Sequence, residues 1–137
     1  MTAGSFFDTN VLLYMYNEAD ARKQTRAREL FLEHTGNGRL MLSTQVVQEF
    51  YEVGSRKLGL PRPVLRAAVS LLLDLPIVTV TPVHVMTAIE LEERYQISFW
   101  DALIVAAANS GGAEVLYTED LSDGQRYGAV MARNPFT

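Results

Sequence analysis

The chain has 137 residues, of which 48% are hydrophobic and 20% charged, with twelve Lys and Arg against sixteen Asp and Glu. This composition excludes intrinsic disorder, and the length fits one domain spanning residues 1–137. The lack of cysteine excludes disulfides, Cys-ligated metals and thiol nucleophiles, and is compatible with a reducing cytosol. Because no run reaches about 18 apolar residues and no secretory signal is found, we expect a cytoplasmic protein without a membrane partner.

Short apolar runs alternate with helical patterns along the chain. The runs predict strands at residues 5–7, 40–42, 77–80, 115–117 and 130–133. The spacing of apolar residues predicts helices at 21–35, after Ser43 and Thr44, and at 64–75, 83–95 and 99–110. Short apolar strands separated by helices indicate an α/β fold, with a parallel sheet covered on both faces.

Acidic residues stand where the predicted strands end. Asp8 and Asp120 follow the first and fourth strands, and Glu49 lies in the helix after the second. Asp101 begins a helix and is the only charged residue between Tyr95 and Ala113. Taken singly, each acid also has an ordinary explanation as a helix cap, a solvated side chain or a turn residue. Because ligands bind beyond the carboxyl ends of parallel strands, convergence of the four acids indicates a site.

The chemistry that such a cluster suits is metal-assisted hydrolysis. Neighbouring carboxylates repel one another unless cations or protons offset their charge, and oxygen ligands select Mg²⁺ or Mn²⁺. These metals generate hydroxide near neutral pH and stabilise charge on a leaving oxygen. The two histidines, His34 and His84, lie in separate helices, and the chain has no nucleophile elbow, Walker loop or dinucleotide motif. The carboxylates are therefore the main catalytic inventory.

Four short motifs, in order, resemble those of a known family. They are Phe7-Asp8-Thr9-Asn10, Gln48-Glu49-Phe50, Trp100-Asp101-Ala102 and Thr118-Glu119-Asp120-Leu121. In this order and spacing the chain resembles a PIN domain and, more narrowly, the VapC-type toxins of bacterial toxin–antitoxin modules. The resemblance runs from Phe6 to Phe136, because the stretch 120–128 and Asn134-Pro135-Phe136 are similar to one bacterial subgroup.

The resemblance implies a fold, an activity and a set of site residues. The implied fold is a three-layer α/β/α sandwich with a central, mostly parallel sheet. The implied activity is Mg²⁺- or Mn²⁺-dependent endoribonucleolysis, with water as the nucleophile. Asp8 and Asp101 match the principal metal ligands, and Glu49 and Asp120 would complete the catalytic site directly or through water.

Three further residues receive supporting roles. Thr118 matches a hydroxyl residue that supports the site in the family, and Asn10 is expected to orient Asp8. Asp123 has two open interpretations, as an outer ligand or as a turn residue before Gly124.

The expected partners are an RNA substrate, a cognate antitoxin protein and a second copy of the chain. The helix at 64–75 has more apolar residues than one buried stripe needs, so we interpret it as a groove or a dimer surface. Basic residues cluster at 22–28 and at 56–66. They are interpreted either as RNA contacts or as solvated helix faces. In the second case, Arg22 or Arg26 would form an ion pair with Glu29 or Glu33.

Two other classes of function are weighed against the nuclease. A catalytically silent PIN-like module that binds RNA or protein is the alternative, although such a module has no evident need to concentrate repelling acids. A phosphorelay receiver also uses an acidic Mg²⁺ pocket on a parallel sheet. It fits poorly, because no Asp ends the 77–80 strand and neither Lys23 nor Lys57 follows the last strands.

Overall fold

The computed structural model describes residues 4–137, in which six strands form one sheet. The strands are β1 (Gly4–Phe7), β2 (Leu40–Ser43), β3 (Ile77–Val78), β4 (Ala113–Tyr117), β5 (Arg126–Tyr127) and β6 (Val130–Arg133). Their order across the sheet is β3-β2-β1-β4-β6-β5. All neighbouring pairs are parallel except β5 and β6, which are antiparallel. The predicted central, mostly parallel sheet is confirmed.

Helices flank this sheet. They are α1 (Thr9–Tyr14), α2 (Ala21–Gly36), α3 (Thr44–Arg56), α4 (Arg62–Leu72), α5 (Pro82–Tyr95) and α6 (Phe99–Ser110). Phe6 and Phe7 are adjacent on the central strand β1, and both are 0% exposed. Because consecutive strand residues point to opposite faces, both faces of the sheet are covered, as the α/β/α prediction requires.

Several predicted boundaries differ from the structure. The 77–80 strand was predicted too long, because the Val80 amide leaves the sheet and donates to Thr44 Oγ1 at 3.1 Å. The helix predicted at 64–75 is α4, which spans Arg62–Leu72. Neither α1 nor the two-residue β5 was predicted as a separate element.

Two serine caps set the start of the helices that hold acidic residues. Ser43 Oγ accepts a hydrogen bond from the Val46 amide at the start of α3, and Ser98 Oγ accepts one from the Asp101 amide at the start of α6. Such caps satisfy amides that have no partner inside the helix. In the described part of the chain, no helix combines the length and the apolar character needed to cross a membrane.

Candidate active site

Asp8 is the most buried of the four predicted acids, with 6% of its surface exposed. It follows β1 directly and caps α1, since its Oδ1 accepts a 2.7 Å hydrogen bond from the Thr9 amide. Its Oδ2 accepts a 2.8 Å hydrogen bond from the Thr118 hydroxyl. Burial raises the pKa of Asp8 from 3.8 to about 7, although these two hydrogen bonds act in the opposite direction.

Thr118, which is fully buried just after β4, joins Asp8 to Asp120. Besides donating to Asp8, its Oγ1 accepts a 3.0 Å hydrogen bond from the Asp120 amide. Asn10 Nδ2 donates to Asp120 Oδ2 at 2.9 Å. The expectation that Asn10 orients Asp8 is therefore wrong: both Asp8 oxygens have other partners, and the Asn10 amide reaches across to the end of β4.

Asp101 and Glu49 reach the same place from two helices. Asp101 lies in the first turn of α6, and Glu49 in the middle of α3. Both side chains are half-buried, and burial raises the pKa of each carboxyl above its ordinary value. Thr9 Oγ1 makes a long hydrogen bond of 3.4 Å to Glu49 Oε1.

Three of the four acids form a tight group. Asp8, Asp101 and Asp120 each offer an oxygen, and these oxygens lie within 4.8 Å of one another. Glu49 is outside this group but lines the same cavity of about 170 Å³. Oxygen-only donors at this spacing suit a hard divalent cation such as Mg²⁺ or Mn²⁺, whose charge would offset their repulsion.

Sequence reasoning assigned no role to Gln45, which lies in the first turn of α3. The residue is only 5% exposed and lines the acidic cavity. Its Nε2 donates to the Trp100 carbonyl at 3.2 Å, and a hydrogen bond from Gln45 lowers the pKa of Glu49. Gln45 therefore connects α3 to the start of α6, immediately before Asp101. Its position four residues before Glu49, on one helix face, was the available signal.

Asp123 lies outside the acidic group in the loop between β4 and β5. Its Oδ1 accepts a 2.9 Å hydrogen bond from the Asn134 amide. The next residue, Gly124, has a φ of +83°, which favours glycine. These contacts fit the turn role among the two interpretations of Asp123.

The first basic cluster, on α2, holds the C-terminal segment. Arg22 donates to the Phe136 carbonyl at 3.0 Å, and Arg26 donates to the Pro135 carbonyl at 2.9 Å. Lys23 pairs with Glu119 at 2.9 Å. The ion pairs with Glu29 or Glu33, which belonged to one of the two interpretations of this cluster, do not form within residues 4–137.

The histidines make structural contacts away from the acids. The His34 Nδ1 lies 2.9 Å from Ser5 Oγ, and its ring packs edge-on against Phe7. The His84 Nδ1 accepts the Thr81 amide in a capping box at the start of α5. Both therefore serve the fold.

The chain is an α/β protein whose mostly parallel sheet carries a group of three carboxylates at one edge. These carboxylates are a candidate metal site. The PIN domain family matches residues 5–122, which is most of the chain. The chain belongs to the PIN domain family.

Solved structures similar to this chain include a VapC toxin and toxin–antitoxin complexes. The sarcin-ricin-loop-cleaving toxin VapC20 of Mycobacterium tuberculosis is 25% identical, with a TM-score of 0.69 over 93% of this chain and 99% of that one. A toxin–antitoxin complex from Klebsiella pneumoniae is 20% identical, with a TM-score of 0.70 over 96% and 98%. DNA-bound VapBC from Salmonella typhimurium is 17% identical, with a TM-score of 0.70 over 98% and 99%. At 20% and 17% identity, the last two structures show only that this chain shares their fold. Comparison with curated protein sequences gave no significant match.

Proposed function

We propose that the chain is a divalent-metal-dependent endoribonuclease of the VapC type and the toxin of a toxin–antitoxin pair. The observation that carries this proposal is the group formed by Asp8, Asp101 and Asp120, with oxygens within 4.8 Å of one another. Carboxylates held this close repel unless a cation or a proton offsets their charge. The similarity to VapC20, an RNA-cleaving toxin, over nearly the whole chain supports RNA as the substrate.

Mg²⁺ or Mn²⁺ would be held by Asp8, Asp101 and Asp120, with Glu49 completing the site. When bound, such a cation activates water near neutral pH and stabilises negative charge on the leaving oxygen of the phosphodiester. The Thr118 hydroxyl fixes Asp8 and the Asp120 backbone in one arrangement. Such fixed ligands need no rearrangement when the reaction begins.

Glu49 is suited to accept the proton of the attacking water. It lines the cavity without belonging to the tight group of three, and burial raises the pKa of its carboxyl. A base works best when its pKa lies near the operating pH, so this direction of change favours the role. Gln45 donates to the α6 backbone at Trp100 and lowers the pKa of Glu49, so it is suited to position Glu49 relative to α6.

A cognate antitoxin is the proposed partner, and a homodimer the proposed assembly. The solved complexes with this fold pair a toxin with an antitoxin. The chain also has an apolar cavity of about 270 Å³ between its first four helices, lined in part by Leu12, Phe31 and Leu72. The neighbouring Leu71 is exposed, which supports a protein contact at this place. A monodisperse monomer at micromolar concentration without antitoxin would contradict the dimer.

Cleavage of total cellular RNA by the purified, antitoxin-free protein tests the proposal. We expect discrete fragments with Mg²⁺ or Mn²⁺, none with EDTA, and none from a folded Asp101→Asn variant. If the folded protein neither cuts RNA nor binds Mn²⁺, the nuclease proposal fails and the silent binding module takes its place.

A further inference from the structure

An exposed tryptophan stands at the rim of the acidic site. Trp100 directly precedes Asp101, lines the acidic cavity and is 63% exposed. Its indole contacts Phe99 edge-on, with 5.2 Å between ring centroids, and most of the residue is accessible to solvent. Aromatic side chains exposed beside a nucleic-acid path are stacking platforms for unpaired bases.

A second cavity adjoins the acidic one between α1 and the end of α3. It measures about 230 Å³ and shares Asn10, Leu13 and Val53 with the acidic cavity. Pockets that enclose drug-sized ligands measure roughly 300–1,000 Å³, so this smaller space suits one ring system with its attached group.

An unused polar group lines this second cavity. Asn10 is not that group, because its NH₂ donates to Asp120 and its Oδ1 is buried from solvent. Asn17 uses its Oδ1 to accept the Ala19 amide at 3.1 Å, which leaves its NH₂ group as a donor. This NH₂ group can donate a hydrogen bond to an acceptor on the edge of a nucleobase.

The second cavity has one cation that can contact a phosphate. Glu119 lines the cavity, but Lys23 lies 2.9 Å from its Oε2 and Tyr14 donates to its Oε1 at 2.6 Å. Lys57 also lines the cavity, is exposed, and forms no salt bridge within the described 4–137 range. The compensated Glu119 and the unpaired Lys57 leave a cation available for a phosphate.

We propose that Trp100 stacks on one unpaired base of the RNA and that the cavity at Asn17 and Lys57 holds a neighbouring nucleotide. The inference rests on the proposed nuclease function and assigns residues that select the substrate. Bases stacked and paired in a duplex cannot reach an indole or enter a side cavity. The preferred substrate is therefore RNA that is unpaired around the bond that is cut.

RNA binding by the full chain carrying Asp101→Asn, in Mg²⁺, separates stacking from cleavage. The probes are a labelled single-stranded RNA of about ten nucleotides and the same strand annealed to its complement. Anisotropy gives the affinity, and because Trp100 is the only tryptophan, indole fluorescence reports the stacking directly. We expect the single strand to quench the fluorescence, and the duplex to bind more weakly without quenching.

Variants at Trp100 distinguish an aromatic ring from mere apolar bulk. In the Asp101→Asn chain, Trp100→Phe should keep the affinity for the single strand within about threefold. Trp100→Leu should weaken that affinity roughly five- to 100-fold. Because the side chain is largely exposed, neither change disturbs the core, and thermal unfolding checks this. Equal affinities of the Phe and Leu variants, or no quenching by the single strand, would overturn the role of Trp100.

Salt dependence tests the second cavity independently. Lys57→Gln should lower the slope of log affinity against log salt by about 0.7, the value for one phosphate contact on a single strand. Arg94→Gln, at an exposed cation near the end of α5, is the matched control and should leave the slope unchanged. An unchanged slope for Lys57→Gln overturns the nucleotide assignment of this cavity.

The cleavage assay on the wild-type protein shows which proposal has failed. If the wild-type protein cuts RNA but the Trp100 and Lys57 substitutions leave RNA affinity unchanged, only the two nucleotide sites are contradicted. Wild-type protein that neither cuts nor binds RNA contradicts the nuclease function itself, and the nucleotide sites with it.

Discussion

The Thr118 hydroxyl donates a 2.8 Å hydrogen bond to Asp8 Oδ2 and so joins the ends of two neighbouring strands. The contact follows from the register of the sheet, in which Phe7 of β1 pairs with Tyr117 of β4. Because the two strands are parallel, the residues that follow them lie side by side at one edge. The same register brings Asp120 to Asp8, and thereby creates the acidic group.

Loss of the Thr118 hydroxyl should weaken metal binding. Thr118→Val preserves the shape but removes a bond that lowers the pKa of Asp8, so Asp8 holds its proton to higher pH. We expect Mn²⁺ affinity at pH 7 to fall roughly tenfold, as it does when outer partners of ligands are removed. Calorimetric titration measures this, and the deficit should shrink at pH 9. Thr118→Ser, which retains the hydroxyl, is the control; a deficit equal in both variants would contradict the explanation.

The stability of the metal-free protein should fall as the pH rises. The pKa of Asp8 is 3.8 ordinarily and about 7 in the fold, so between these values the native state keeps a proton that the unfolded chain releases. The free energy of unfolding therefore decreases from about pH 4 to above pH 7. Asp8→Asn should raise it at pH 8 by on the order of 2 kcal/mol and have little effect at pH 4.

Denaturant unfolding in EDTA at several pH values measures this difference. Asp123→Asn is the matched control, because Asp123 is outside the acidic group and contacts Asn134. Burial also raises the pKa of Asp101 and Glu49, so part of the pH dependence should remain in Asp8→Asn. If the free energy of unfolding changes with pH in the same way in the wild type and in Asp8→Asn, the buried Asp8 charge is not destabilising.

Gln45 should act as a positioning residue. Gln45→Leu removes the hydrogen bond to the Trp100 carbonyl and the polar group that lowers the pKa of Glu49, and should reduce kcat and Mn²⁺ affinity roughly tenfold. Gln48→Leu, at an exposed site in the same helix, is the control and should leave both unchanged. A purely structural role for Gln45 predicts a lower Tm with unchanged kcat and Mn²⁺ affinity.

The arginines of α2 should contribute to stability rather than to RNA cleavage. Arg22→Ala and Arg26→Ala each lose a hydrogen bond to a carbonyl of the C-terminal segment, which should cost about 1 kcal/mol. Chemical denaturation gives the free energy, and Arg66→Ala, at an exposed position on α4, is the comparison. A loss of cleavage without a loss of stability would instead place Arg22 or Arg26 on the RNA path.

The parallel sheet and its acidic edge were predictable because both follow from strand order. Asp8 and Asp120 each follow a buried strand, and any parallel arrangement of those strands brings them to the same edge. The apolar runs also predicted the central strands, whose residues are covered on both faces. These features depend on hydrophobic patterns, which one sequence displays directly.

Features that depend on the direction of single side chains were not predictable. Asn10 was assigned to Asp8, but its side-chain amide contacts Asp120, which is 110 residues away in sequence and follows the neighbouring strand β4. Gln45 shares a helix face with Gln48, Glu49 and Glu52, a pattern typical of a solvated surface, and its burial depends on the docking of α6. The 77–80 strand is β-branched throughout, yet Val80 bonds Thr44 instead of β2. In each case a tertiary contact decides between local alternatives.

RNA cleavage by a panel of carboxylate-to-amide variants tests the central claim most directly. The panel is Asp8→Asn, Glu49→Gln, Asp101→Asn and Asp120→Asn, with Asp123→Asn as the matched control outside the acidic group. In Mg²⁺ or Mn²⁺ and with one RNA substrate, we expect each of the four folded variants to lose cleavage by at least about 100-fold, while the control cuts like the wild type. Cleavage that survives in all four variants, or that persists in EDTA, would contradict the account.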